Sequence, residues 1–345
     1  MPRFRQRPEG SEWGRFGDDD EWGRLNLLTP EKVRQGVAEV REGRTFCLSL
    51  PLDLPGRSIL NPRRRPPELF PTAREGRPNY LYRLSHENPE WTDVVCDDAV
   101  VLCNQYSSQW DTFAHVGLMF DADGDGEPEP VFYNGFRGGE DIVAPATTPS
   151  GPHGWFPGCY AHRLSAARMA ERPIQGRAVL VDLHRHFGDE PALVDGATLL
   201  EIMERDGVEV EPGDILCLHT GFARLLVEWA GNPDPRRVHA ACAALDGRDP
   251  LLLEWIAKSD IAALVADNYA VERLPARTGG PGPHAAMPLH RHCLAYLGLP
   301  LGELWYLTDL AAWLREAGRS RFLLTAPPLR LPGAVGSPVS PVATV

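Results

Sequence analysis

Lysine is almost missing from this chain: of its 35 basic residues only Lys32 and Lys258 are lysine, and the rest are arginine. Few side chains are therefore available as a Schiff-base amine or a phosphate-cradling lysine. Positive charge is also in deficit overall, with a net charge of −12. The electrostatic footprint of a nucleic-acid or anionic-membrane binder is absent. No apolar run approaches the length of a membrane span. The start, Met1-Pro2-Arg3-Phe4-Arg5-Gln6-Arg7, is not followed by the apolar stretch of a secretory signal. The 7 cysteines are odd in number and include no C-x-x-C pair, which reads as reduced thiols rather than a disulfide framework or zinc knuckle. The common catalytic signatures are missing too: no G-x-S-x-G elbow, Walker A loop, G-x-G-x-x-G turn after a strand, or H-E-x-x-H. These absences lead to the expectation of a soluble, cytoplasmic protein that handles a small molecule, with neither nucleic acid nor membrane as partner.

What is present is ordinary globular material. Hydrophobic residues make up 43% and charged residues 24% of 345 positions, so folding can bury roughly three quarters of the unfolded chain's surface. Short apolar runs alternate with helical patterns, without internal repeat or long linker, which predicts one α/β domain. Residues 1–44 form an N-terminal extension, a polar, glycine-rich arm and then a helix opened by Thr29-Pro30-Glu31. Residues 45–345 form the body. Strands are expected at Thr45–Leu52, Val94–Leu102, Arg177–Leu183, Ile215–His219, Ile261–Val265, Leu304–Leu307 and Arg321–Thr325. Helices are expected after Asp195, from Thr220 to Trp229, after Asp249, and from about His290 and Asp309. The stretch Pro55–Pro78 reads as a long loop. Its Arg63-Arg64-Arg65 run is either a solvated face or part of a lid over a substrate. The run Asp121-Ala122-Asp123-Gly124-Asp125-Gly126 opens like a calcium loop, but Phe132 stands where the bidentate glutamate belongs, so it reads as an acidic turn.

The informative segment is Gln105-Tyr106-Ser107-Ser108-Gln109-Trp110-Asp111-Thr112-Phe113-Ala114-His115. If extended, it places Gln109, Asp111 and His115 on one side, because strand side chains alternate with period two. An amide oxygen, a carboxylate and an imidazole converging on one point suit a metal or acid–base cluster. The alternative is that these polar groups satisfy buried backbone. Asp267-Asn268, at the carboxyl end of an expected strand, either lines a pocket or caps the next segment. Trp110, Trp155 and Phe156 either form an aromatic wall or pack in the core.

The segment resembles the hallmark H-x-G-T-H-x-D-x-P-x-H of the metal-dependent cyclase-like hydrolases, the family of bacterial kynurenine formamidase, isatin hydrolase and trans-dienelactone hydrolase. Asp111 and His115 match outright, Gln105 and Gln109 occupy the two earlier histidine positions, and the Q-W-D core resembles a glutamine-containing branch. Further resemblances run in order over about residues 90–345. They are Tyr133-Asn134-Gly135, Gly176–Asp182, Pro212–Leu216 with Thr220-Gly221-Phe222, Pro288–Arg291 with Glu303, and Gly336–Pro341. The resemblance implies a swivelling β/β/α fold with a central barrel-like sheet, assembled as a homodimer or homotetramer. It implies Asp111, His290 and Glu303 as metal ligands, with Gln109 completing the set, and His115 as the proton-transferring catalytic residue. Gln105, Trp110 and Asp267 are the candidates for substrate contact. Because an amide oxygen is a harder, weaker ligand than imidazole, one divalent ion, zinc or manganese, is expected rather than two. The implied chemistry is hydrolysis of a small amide, lactam or lactone. The alternative is a metal-poor homologue that binds without turnover.

Overall fold

Residues Ile215–His219 are buried along their whole length, as a strand covered on both faces of a parallel sheet must be. In the computed structural model, which describes residues 3–151 and 154–345, this strand lies inside a nine-stranded sheet. Along the chain its members are β1 (Thr45–Cys47), β2 (Gln109–Asp111), β3 (Gln175–Asp182), β4 (Ile215–His219), β5 (Ala263–Ala266), β6 (Leu301–Glu303), β7 (Arg321–Thr325), β8 (Gly336–Pro338) and β9 (Val342–Thr344). Their spatial order is β1-β9-β7-β3-β4-β5-β6-β2-β8. β3 to β6 run parallel, and the strands outside them pair antiparallel.

Strand alternation divides the apolar side chains between two faces. Leu216, Leu218, Leu264 and Ala266 join a cluster with Leu199 and Ile202 of helix Gly196–Asp206 and Leu252 and Ile256 of helix Pro250–Ser259. Ile215, Cys217, Ala263 and Val265 join a second cluster with Trp110, Trp305 and the buried face of helix Thr308–Glu316. Side-chain caps explain where the helices start. Thr29, Asp195 and Asp249 accept hydrogen bonds from the amides of Lys32, Thr198 and Leu252, each cap worth about 1 kcal/mol.

Several expected elements shift. The strand from Thr45 ends at Cys47, and Ser49 makes only an isolated bridge to Trp305. The Pro55–Pro78 stretch holds short strands at Glu68–Pro71, Ala73–Arg74 and Arg77–Pro78. The Val94–Leu102 strand is broken in two, because Val94–Val95 pairs with Tyr82–Arg83 whereas Asp98–Val101 pairs with Glu68–Pro71. The helix after β4 is capped not by Thr220 but by Gly221, at φ 86°, a left-handed conformation that costs glycine little. The strand expected at Leu304–Leu307 lies earlier, at Leu301–Glu303, and ends where Leu304 takes φ 57°. The helix expected from about His290 begins at Pro288 and continues as a π-helix over Arg291–Leu297.

The N-terminal extension is strapped across the body. Trp13 is fully buried and donates its indole N–H to the Ala295 carbonyl. Arg24, also fully buried, donates to Glu12 and to the carbonyls of Ile256 and Ala257. The acidic run Asp121–Gly126 is a turn in which Asp121 accepts from the amides of Gly124, Asp125 and Gly126.

Candidate metal centre

β2 is fully buried, and its period-two geometry sends Gln109 and Asp111 to one face and Trp110 to the other. Its neighbour β6 runs antiparallel with Glu303 directly opposite Gln109. Gln109 Nε2 donates to Glu303 Oε2 at 3.0 Å and approaches Asp111 Oδ1 at 3.4 Å. His290, from helix Pro288–His290, brings Nε2 to 3.0 Å from Glu303 Oε1 and 4.0 Å from Asp111 Oδ2. Asp111, His290 and Glu303 each offer one ligand atom, and these atoms lie within 4.8 Å of one another.

His115 arrives by a different route from the one its spacing suggests. The chain is not extended beyond Asp111: the His115 amide donates to the Thr112 carbonyl, closing a turn. His115 Nε2 still comes to 3.8 Å from Asp111 Oδ1.

Glu272 was not singled out by any sequence signal. One of its oxygens accepts from His290 Nδ1 at 2.8 Å and from the His290 amide at 3.0 Å, and the other accepts from the Leu289 amide. It reaches them because Ala270 and Val271 both take positive φ, 75° and 55°. That backbone is strained for a β-branched residue, so the surrounding packing must hold it there. Only the spatial meeting of the loop after β5 with helix Pro288–His290 reveals Glu272, since neither spacing nor motif links it to His290.

The electrostatics are set by burial. Burial and then the neighbouring Glu303 push the Asp111 carboxyl up to about 8. Burial opposes charge on His290, but hydrogen bonds to Glu272 and Glu303 outweigh it and carry the imidazole up to about 10. Burial likewise opposes charge on Glu303, and the His290 hydrogen bond overrides it, leaving the carboxyl below its usual range. His115 goes the other way: burial, reinforced by His290 and Arg64, lowers it to about 4, so it is a neutral base near pH 7.

The residues fit one divalent ion. Among the described residues, Gln109 Oε1 and Asp111 Oδ2 are buried without any hydrogen-bond partner, a state that costs roughly 1–3 kcal/mol per group unless something else satisfies it. Together with Glu303 Oε1 and His290 Nε2 they form an oxygen-rich donor set suited to a divalent cation.

The cluster opens into a cavity of about 920 Å³ whose wall includes Gln105, His115, His290 and Glu303. Gln105 therefore lies on the cavity, its amide packed so closely on Gly336 that a Cβ there would meet Nε2 at 2.3 Å. Trp110 and Asp267 are not on this wall, contrary to the substrate contacts expected of them. Trp110 is fully buried against Trp305, ring centroids 5.0 Å apart, and donates to the Ala326 carbonyl. Asp267 is fully buried and accepts from the Thr220 amide and hydroxyl and the Gly221 amide. It fastens the loop after β4. Trp155 and Phe156 are not on the wall either, and Phe156 is half exposed.

Comparison with known proteins places this architecture. The family described as "Putative cyclase" matches residues 48–273. A crystal structure described as a novel cyclase superposes with a TM-score of 0.73 at 28% identity, covering 97% of each chain. An isatin hydrolase bound to the product analogue thioisatinate shares the fold, with a TM-score of 0.54, 12% identity, and coverage of 92% of this chain and 99% of that one. Isatin hydrolase A from Ralstonia solanacearum is similar at a TM-score of 0.53 and 14% identity, covering 91% and 97%. No curated protein matches the sequence. The mixed α/β fold is the cyclase-like one that the Gln105–His115 segment led us to expect, and the chain belongs to the cyclase family.

Proposed function

We propose that this protein is a metal-dependent hydrolase of a small amide, lactam or lactone. The observation that carries the reading is the pair of partnerless buried oxygens, Gln109 Oε1 and Asp111 Oδ2. They sit beside His290 and Glu303, at a cavity that also holds a neutral His115. Asp111, Gln109, His290 and Glu303 would hold one divalent ion, zinc or manganese. Such an ion supplies a Lewis acid for a carbonyl and makes water acidic enough to attack near neutral pH.

The chain's own residues supply the rest. Glu272 accepts the Nδ1 proton of His290 and fixes the ring with Nε2 facing Glu303 and Asp111, so that Nε2, once it gives up its own proton, would be the atom that holds the ion. His115 takes a proton from the attacking water. As the C–N or lactone C–O bond breaks, it returns that proton to the leaving amine or alkoxide. Gln105 contributes a polar contact from the cavity wall. The seven free thiols support a reducing, cytoplasmic setting.

The test is a panel of formamides, lactams and lactones, assayed with chelated protein to which Zn²⁺ or Mn²⁺ is added back. Turnover restored by one of the metals is expected, with about one ion bound per chain. The glutamines at positions 105 and 109 favour a second reading, a homologue that binds without catalysis. Tight binding of panel members with no turnover under either metal would establish that reading and overturn ours.

A further inference from the structure

The cavity that opens over the centre has an unusual charge for a protein of net charge −12. Arg57, Arg63, Arg64 and Arg273 all line it. Arg57 and Arg63 are exposed and Arg64 and Arg273 half-buried, whereas several other buried or half-buried arginines face carboxylates: Arg15 with Asp260, Arg24 with Glu12, Arg177 with Asp214 and Arg224 with Asp189. The four cavity arginines have no such partner among the described residues. Arg64 donates only to the Gln105 carbonyl, and Arg273 only to those of Ala192 and Cys242. Glu303 is the sole carboxylate among the wall residues, and His290 and Gln109 already engage it. Arg64 lies close enough to the centre for its charge to act on Asp111, His115 and Glu303. The remainder of the wall includes Ile59, Leu60, Leu274 and Met287.

We infer that the cavity selects an anionic substrate: a small acyl compound with an apolar frame that carries a free carboxylate besides the bond to be cleaved. This rests on the hydrolase reading for what happens to the bond, but not for what the cavity binds. Unpaired guanidinium groups in a partly enclosed cavity focus potential on an incoming anion. Their planar fork matches a carboxylate in two parallel hydrogen bonds, each stronger than a neutral one. The apolar residues take the frame while the acyl carbonyl points at Asp111, His290 and Glu303. In this arrangement Arg63 and Arg64 are the cavity's selective rim rather than part of a solvated face.

Equilibrium binding to metal-depleted protein separates recognition from turnover. The probes are 3-formamidobenzoate, isoindolinone-5-carboxylate and phthalide-5-carboxylate, each against its carboxamide. At least one carboxylate should bind roughly 10–100-fold more tightly than its carboxamide, and the preference should shrink as salt rises. Arg64→Met should remove most of it. Arg64 also anchors the Gln105 backbone, so Arg63→Met is the companion variant, because its guanidinium makes no hydrogen bond among the described residues; it should reduce the preference without a change in melting temperature. Equal affinities within every pair, or no binding of any carboxylate, or a preference that both variants leave intact, overturns the inference. If metal-loaded protein cleaves the carboxamides as well as the carboxylates, the hydrolase reading stands and this inference fails. If carboxylates bind through the arginines but nothing is cleaved under any metal, this inference stands and the hydrolase reading fails.

Discussion

Asp111 has no exposed surface, and one of its oxygens has no donor, so its removal probes the centre most directly. Asp111→Ala should abolish metal binding and turnover together, read by metal analysis and by the hydrolase assay on the same sample. Metal fully retained in an inactive variant would take Asp111 out of the ligand set. His115→Asn should lower kcat by roughly 10²–10⁴-fold, the usual range for a positioned general base, while metal content stays unchanged. Loss of the ion in that variant would make His115 a ligand and send the proton transfer elsewhere. Glu272→Gln keeps the shape of the side chain but weakens its hold on His290 Nδ1. Metal affinity should fall about 10–100-fold, measured by competition with a chelator, and an unchanged affinity would reduce Glu272 to a loop anchor.

β2 shows how one short element serves two purposes. Gln109 and Asp111 face the centre, while Trp110 between them fills the opposite core against Trp305. Trp110→Ala should cost about 3–5 kcal/mol of stability, seen as a lower denaturation midpoint, with KM for any substrate nearly unchanged. A large KM effect in folded protein would restore Trp110 to the cavity. The same period-two rule that grouped Gln109 with Asp111 also removes Trp110 from their side, so the expectation of substrate contact failed on geometry already present in the sequence. β6 is the reverse case. Leu304–Leu307 is the apolar run and Leu301-Gly302-Glu303 is not, yet the positive φ of Leu304 ends the ladder at Glu303, beside Gln109.

Acid stability belongs to the molecule as a whole. Asp182, at the end of β3, accepts from His219 on β4 at 2.8 Å and from Arg315 at 2.6 Å, tying the sheet to the helix that covers it. Burial opposes its charge, but these partners outweigh burial and hold the carboxyl down to about 2. A depressed carboxylate stabilises the fold fully above its unfolded pKa of about 4, and that contribution drains away as pH falls toward 2. Asp182→Asn should therefore be less stable than the parent by about 2 kcal/mol near neutrality, and the gap in melting temperature should close between about pH 4 and 2. A gap that stays constant over this range would rule out the ionised carboxylate as its source. At the same scale, cross-strand neighbours Leu69 and Val100 of the paired strands Glu68–Pro71 and Asp98–Val101 are 71% and 48% exposed, and we propose that they meet a second copy in the homodimer or homotetramer that the family resemblance leads us to expect. Light scattering should give two or four times the chain mass of 38.1 kDa, and Leu69→Glu should shift it toward one. A parent that is already monomeric ends the proposal.

Local chemistry alone determined much of this protein. Side-chain caps at Thr29, Asp195 and Asp249 set helix starts that formed where expected, because a cap needs only its own next turn. Continuous apolar runs marked β3, β4 and β5, because strands buried on both faces leave no room for polar residues. The order of residues from Gln105 to His115 identified the family and nominated the centre. Tertiary structure decided the rest, because it concerns groups that share no local pattern. Glu272 meets His290 only through the strained backbone at Ala270 and Val271, in the loop after β5. Asp267 turns to the amides after β4 rather than to the cavity, because those amides are buried and need an acceptor. The four unpaired arginines come from the Pro55–Pro78 stretch and from the residue after Glu272. Nothing along the chain says that they face one cavity, since their meeting there depends on how two distant loops pack over the same end of the sheet.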